Sequence, residues 1–151
     1  MSIYVDADAC PVKEEIYRVA RRYGTKVFVI ANSPMRVPQE ENFEFVGVSG
    51  GFDVADDWIA QRARTGDIVI TADILLAGRC LQHGARVLGP TGLVFTEDAI
   101  GDALATRALL DMLRQSGDFR DGPSPFARSD RSRFWSKLDE LVHAARCDLR
   151  E

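Results

Sequence analysis

Short apolar runs and helix-spaced apolar stripes alternate along the chain. Ile3-Tyr4-Val5 reads as a first buried strand that ends in Asp6-Ala7-Asp8. Val12, Ile16, Val19, Ala20 and Tyr23 then recur at helical spacing, with Pro11 suited to the first turn and Gly24 to the stop. Lys26 to Ala31 is a compact second strand. Strand, helix and strand within 31 residues is the length of a right-handed crossover unit.

Asn32-Ser33-Pro34 opens a loop that Pro38 prolongs, and a third strand follows at Phe43 to Val48. Asp53 is expected to cap the next helix, with Ala55, Trp58, Ile59 and Arg62 on one broad side before Gly66 stops it. Ile68-Val69-Ile70 is a fourth strand, ending in Thr71-Ala72-Asp73. Leu75, Leu76, Arg79, Cys80 and Gln82 form a short helix ending near Gly84, and Arg86-Val87-Leu88 a fifth strand whose exit is marked by Pro90 and Gly92. Thr96 to Asp98 would cap a helix built on Ile100, Leu104, Ala108, Leu109 and Met112. Residues 118–129 read as a loop, and Asp130 as the cap of a last helix striped by Phe134, Leu138, Leu141, Val142 and Ala145.

This order predicts an α/β fold, a mostly parallel sheet with helices on both faces. Loops leaving the carboxyl ends of such strands meet in a crevice where the strand order reverses. In the order 3-2-1-4-5 the reversal falls between the first and fourth strands, so Asp6, Asp8 and Asp73 are expected to converge there. Asp6 and Asp8 share a strand face with alpha carbons roughly 6 to 7 Å apart. Two ionised carboxylates about 5 Å apart repel by about 3 kcal/mol at an effective dielectric near 20. A magnesium or manganese ion would offset that repulsion; a shared proton, basic neighbours or solvent would also serve.

Composition narrows the class. With 151 residues, 46% of them hydrophobic, the chain is one domain with a substantial core, residues 118–151 forming a loop and a helix packed on it. The formal charge of -4 does not advertise nucleic-acid binding, although a basic rim can coexist with acidic metal ligands. Cys10, Cys80 and Cys147 have neither zinc spacing nor disulfide density, which fits a reducing cytoplasm. No apolar stretch is long enough for a membrane span, and no signal-peptide pattern opens the sequence.

Asp53, Asp56 and Asp57 share a helical face near the same sheet edge, where the helix dipole alone would favour acids. Asp57, then Asp56, is the candidate ligand of this trio. A divalent ion held by Asp6 and Asp73, with Asp8 and Asp57 completing the cluster or orienting water, suits hydrolysis of a phosphodiester, with RNA the expected substrate. Arg128, Arg131, Arg133 and Lys137 oppose one acid, Asp130, for a local charge of +3. Arg128, Arg131 and Arg133, with Lys13 and Arg36 in other loops, are the candidate phosphate contacts; salt-bridged solvent-facing positions are the alternative. Cys10 at a helix start would have a favoured thiolate but lacks a neighbouring base, and His83 and His143 form no ligand motif.

The segments Tyr4-Val5-Asp6-Ala7-Asp8-Ala9-Cys10-Pro11-Val12-Lys13, Gly51-Phe52-Asp53-Val54-Ala55-Asp56-Asp57-Trp58-Ile59, Asp67-Ile68-Val69-Ile70-Thr71-Ala72-Asp73, Gly122-Pro123-Ser124-Pro125-Phe126 and Asp130-Arg131-Ser132-Arg133-Phe134 together resemble the uncharacterised bacterial YaiI/YqxD family. That family is grouped with the PIN-like nucleases. The resemblance implies a three-layer PIN-like domain over 1–151 holding Mg2+ or Mn2+. It matches Asp6 to the first-strand acid, Asp56 or Asp57 to the helical acid and Asp73 to the acid after the fourth strand, with Asp8 additional and Asp98 a late acid. Thr96-Glu97-Asp98-Ala99-Ile100 departs from the asparagine-containing form expected there.

Two rivals share these residues. Asp-Ala-Asp at a first strand end also resembles a phosphomonoesterase in which Asp6 attacks phosphorus and Asp8 exchanges a proton, but no downstream lysine is suitably placed. The other rival is an inactive RNA-binding or protein-interaction module.

Overall fold

A computed structural model describes residues 1–8, 10–50, 52–98, 100–101 and 128–150, with backbone alone at 52, 53 and 148–150. In chain order the elements are β1 (Ser2–Asp6), α1 (Lys13–Tyr23), β2 (Lys26–Ala31), β3 (Phe43–Gly47), α2 (Phe52–Arg62), β4 (Ile68–Ile70), α3 (Ile74–Gln82), β5 (Arg86–Leu88), β6 (Val94–Phe95) and α4 (Arg128–Arg150). They build one sheet ordered β3-β2-β1-β4-β5-β6. The first five strands are parallel, in the order the sequence predicts.

Strand parity sets the two faces. Val5 sits opposite Val29 on one side and Ile70 on the other, and Ile3, Val5, Val27, Val29, Ile68 and Ile70 pack with α1 and α4. Tyr4, Ile30, Val69 and Val87 turn the other way, onto α2 and α3. The result is three layers. Asp6 continues the parity of Tyr4, so its side chain leaves the sheet on the α2/α3 side at the carboxyl edge.

Helix faces follow their stripes. Ile16, Val19 and Ala20 of α1 are buried, and the chain leaves the helix through Gly24 at φ 64°, a left-handed conformation that glycine adopts without a Cβ penalty. In α4, Phe134, Leu138, Val142 and Ala145 are fully buried. Burial of each large apolar side chain stabilises by about 1.5 to 3 kcal/mol. The exposed Arg22–Asp139 pair between α1 and α4, at 3.3 Å, adds far less, about 0.2 to 1 kcal/mol. Packing, not charge, docks this helix.

Several expected details change. Val94–Phe95 pairs antiparallel with β5, an edge strand absent from the sequence reading because two residues carry no period. Leu75 is 57% exposed, since α3 buries Leu76, Ala77 and Cys80 instead. Arg62 is outside the core, its guanidinium 4.0 Å over the Trp58 ring. The helix α2 already includes Phe52, so Asp53 lies in its first turn and not at the cap; the Asp53 side chain is outside the described residues. Asp130 is likewise inside α4, which starts at Arg128. Pro11 precedes α1 by two residues. Glu97 begins a helical turn, with Ile100 N donating to Thr96 O at 2.9 Å; its expected continuation through Leu104, Ala108, Leu109 and Met112, and the loop 118–127, lie outside the described residues.

Candidate functional site

Asp6 and Asp73 meet at the reversal between β1 and β4. Thr71, the residue after β4, is 2% exposed and lies beside Asp6 because the β1–β4 register continues one step past Val5 and Ile70. Its hydroxyl donates to Asp6 Oδ2 at 2.9 Å, and Thr71 Oγ1 in turn accepts the Asp73 backbone N–H at 3.0 Å. Asp73 caps α3, Oδ1 accepting the amides of Leu75 at 2.8 Å and Leu76 at 3.2 Å. One buried hydroxyl therefore ties both acids to the sheet edge. Burial pushes the Asp6 carboxyl above its usual range; the Thr71 hydrogen bond opposes this, and the charges of Asp73 and Asp8 add to it.

Asp8 belongs to the same electrostatic neighbourhood but is tied elsewhere. Its carboxylate accepts from the Asn32 backbone N–H at 3.0 and 3.1 Å, from Asn32 Nδ2 at 3.1 Å and from the Ser33 amide at 3.4 Å. These bonds hold the exit of β2 against the loop after β1. Asp57 is engaged on the neighbouring helix: it pairs with Arg79 Nη1 at 2.8 Å, both side chains about half exposed. Asp56 is half-buried and acts on Cys80, whose thiol is raised to about 11, chiefly by burial. Positions 79 and 80 lie six and seven residues below Asp73 along α3, a drop of roughly 9 Å or more. Asp73 and Asp8 are the acids whose charges act on Asp6, whereas Asp57 is engaged by Arg79 and Asp56 acts on Cys80.

The basic residues divide similarly. Lys13 Nζ donates to Cys10 O at 3.0 Å, fastening the turn before α1. Arg131 Nη1 reaches Pro11 O at 2.8 Å and Glu15 Oε1 at 3.3 Å, which places the start of α4 at the same edge of the sheet. Arg133 pairs with Asp130 at 3.2 Å and lines a cleft against Thr91, Gly92 and Leu93. Arg128 is exposed at the helix start. Arg36 stands apart, on a groove of about 640 Å³ with Met35, Phe43 and Phe45 along the open side of β3.

Cys10 is 7% exposed, and its burial raises the thiol despite the Val12 amide and Lys13, the opposite of the favoured thiolate expected at a helix start. His83 Nδ1 lies 3.2 Å from Arg64 Nη1 at the opposite end of α3, and His143 lies on α4 beside Tyr23. Asp98 is exposed in the helical turn after β6. The sequence reading missed Thr71 as the link between the acids and Asn32 as the anchor of Asp8; a hydroxyl two residues before a strand-end acid was the available signal for the first.

Among the described residues no group of three or more histidine, cysteine or acidic side chains is drawn tightly enough to form a preassembled metal site. The donors at the edge nevertheless suit a hard cation. They are carboxylate oxygens, Asp6 held above its usual range chiefly by burial with the charges of Asp73 and Asp8 adding to it, and magnesium keeps several waters and needs one or two such ligands.

The family described as "Uncharacterized BCR, YaiI/YqxD family" matches residues 4–144. A protein of Rhodospirillum centenum named as a UPF0178 protein is 52% identical over 150 residues, 97% of each chain. The UPF0178 protein of Caulobacter sp. (strain K31) is 53% identical over 144 residues, 95% of each, and that of Azorhizobium caulinodans 52% over 142 residues, 94% of this chain and 89% of its own. No solved structure matches significantly.

Proposed function

The chain belongs to the YaiI/YqxD family, and from that premise we propose that it is a divalent-metal-dependent phosphodiester hydrolase acting on RNA. The observation that carries the reading is the Asp6–Thr71–Asp73 linkage at the strand-order reversal of a parallel sheet, the position where such folds bind ligands. Asp6 and Asp73 would hold Mg2+ or Mn2+, with Asp8 beside them. Bound there, the ion supplies Lewis acidity toward the phosphodiester and lowers the pKa of water.

The chain's own residues do the rest. Thr71 fixes Asp6 Oδ2 by donation and the α3 amides fix Asp73 Oδ1, so the second oxygen of each carboxylate would be the one offered to the ion. Asp8 orders the β2 exit as one wall. Asp57 has the outer role of orienting water, since its half-exposed pair with Arg79 is worth about 0.2 to 1 kcal/mol and is released at small cost. Arg131 and Lys13 keep positive charge at the turn before α1, where it draws phosphate toward the acids.

Incubation of the protein with single- and double-stranded RNA and DNA panels in Mn2+ tests this. Internal RNA linkages are cut by the parent, EDTA stops the reaction, and Asp6→Asn and Asp73→Asn each reduce it at least about a hundredfold, the scale of losing a catalytic ion's anchor. Undiminished cleavage by both variants contradicts the assignment, and a phosphorylated Asp6 turns it to phosphomonoester chemistry.

A further inference from the structure

The groove between α1 and α4 is separate from the acidic edge. Trp135 stands in it 40% exposed, while Phe134 and Leu138 on the same helix are fully buried, so part of the indole stays open to solvent beside a buried stripe. The Arg18 guanidinium lies 5.4 Å from the ring centre. Arg22, Ser132, Ser136 and Asp139 complete a cleft of about 360 Å³. Arg22 holds Asp139 at 3.3 Å yet is itself 69% exposed, which leaves it able to meet a second anion.

The cleft also has a direction. Arg131 lies one helical turn above Trp135 and is bonded to Pro11 O, in the turn that follows Asp8. The line Arg131, Trp135, Asp139 therefore runs down α4 from the carboxyl edge of the sheet, on the layer opposite the one toward which Asp6 turns. A partly exposed indole, two arginines and two serine hydroxyls are the groups that recognise an unpaired base with its neighbouring phosphates. A duplex keeps its bases stacked and would present nothing to the indole.

We propose that the α1–α4 groove binds single-stranded RNA, one unpaired base stacking on Trp135 and the flanking phosphates meeting Arg18 and Arg22. The inference rests on the phosphodiester reading for the class of ligand and adds strandedness and a base contact to it. Placing the strand in this groove leads its continuation past Arg131 to the carboxyl edge of the sheet, which it would cross to reach Asp6 and Asp73.

Anisotropy of a fluorescein-labelled single-stranded RNA and of its duplex, measured in EDTA so that no cleavage intervenes, tests the groove alone. The parent binds the single strand more tightly than the duplex. Trp135→Ala weakens it at least about tenfold and Trp135→Phe restores it to within about threefold, as expected of stacking. The Arg18→Ala/Arg22→Ala double variant lowers the slope of log affinity against log salt by about 1.4, two single-strand phosphate contacts. Equal binding by parent and Trp135→Ala, no binding by the parent, preference for the duplex, or a Trp135-dependent dimer in sedimentation each overturns the proposal. Trp135-dependent binding in a protein that cuts no RNA with Mn2+ keeps the groove and removes the hydrolase reading instead.

Discussion

At the scale of single residues the consequential atom is the Thr71 hydroxyl. Thr71→Val keeps the shape but leaves Asp6 Oδ2 and the Asp73 amide without that partner, a loss of about 1 to 3 kcal/mol in denaturant titration. Cleavage falls at least about tenfold, because the Asp6 oxygen is no longer aimed, and Thr71→Ser recovers both; an unchanged midpoint would show that the hydroxyl is dispensable. Asp6 gives a pH prediction. Its carboxyl is raised in the fold, chiefly by burial, so between the unfolded value and the folded one the native state binds the extra proton and stability declines as pH rises. Asp6→Asn removes that decline. In EDTA the variant melts a few degrees above the parent at neutral pH and at the parent's temperature near pH 3, where both are neutral; Mg2+ raises the parent's midpoint and not the variant's. Parallel melting curves across that range would contradict the assignment. Asp6 and Asp73 were legible from the sequence because a strand end fixes where its next residues go. The engagement of Asp57 was not, because helical spacing gives a face and not the partner, here Arg79, that waits on the next helix.

At the scale of elements, α4 depends on one tight turn. Gly92, between β5 and β6, has φ 92°, and a Cβ there would sit 2.7 Å from Arg133 Cγ and 2.9 Å from the Arg133 carbonyl carbon. Gly92→Ala is therefore both strained and obstructed by backbone, and is expected to cost about 1 to 3 kcal/mol. Hydrogen exchange locates that loss in the first turns of α4; exchange that stays slow there would show that the helix yields without cost. The stripe Phe134, Leu138, Val142 and Ala145 was readable because four apolar positions at helical spacing can be satisfied only against a core. The helix starts were read less well: Asp53 and Asp130 each suggested a cap, and in both cases the backbone had already turned helical one or two residues earlier. β6 escaped for the opposite reason, being held by pairing with β5 rather than by any pattern of its own.

At the scale of the whole molecule, the order of strands does the positioning. The sheet order puts β1 between β2 and β4, and this adjacency brings the ends of two strands far apart in sequence to one hydroxyl's reach. That much followed from alternating strand and helix signals. What did not follow is how closely the remaining acids approach, because it depends on the tilt of α2 and on the partners each carboxylate finds. Among the described residues no helix is long and apolar enough to cross a membrane, and the family match spans residues 4–144, so the carboxylate edge and the α1–α4 groove lie within the same matched unit. The most direct test of the acidic edge is the anomalous difference density of crystals grown in saturating Mn2+. A peak between the Asp6 and Asp73 carboxylates, lost in Asp6→Asn, is the predicted result; density with no peak there would contradict it.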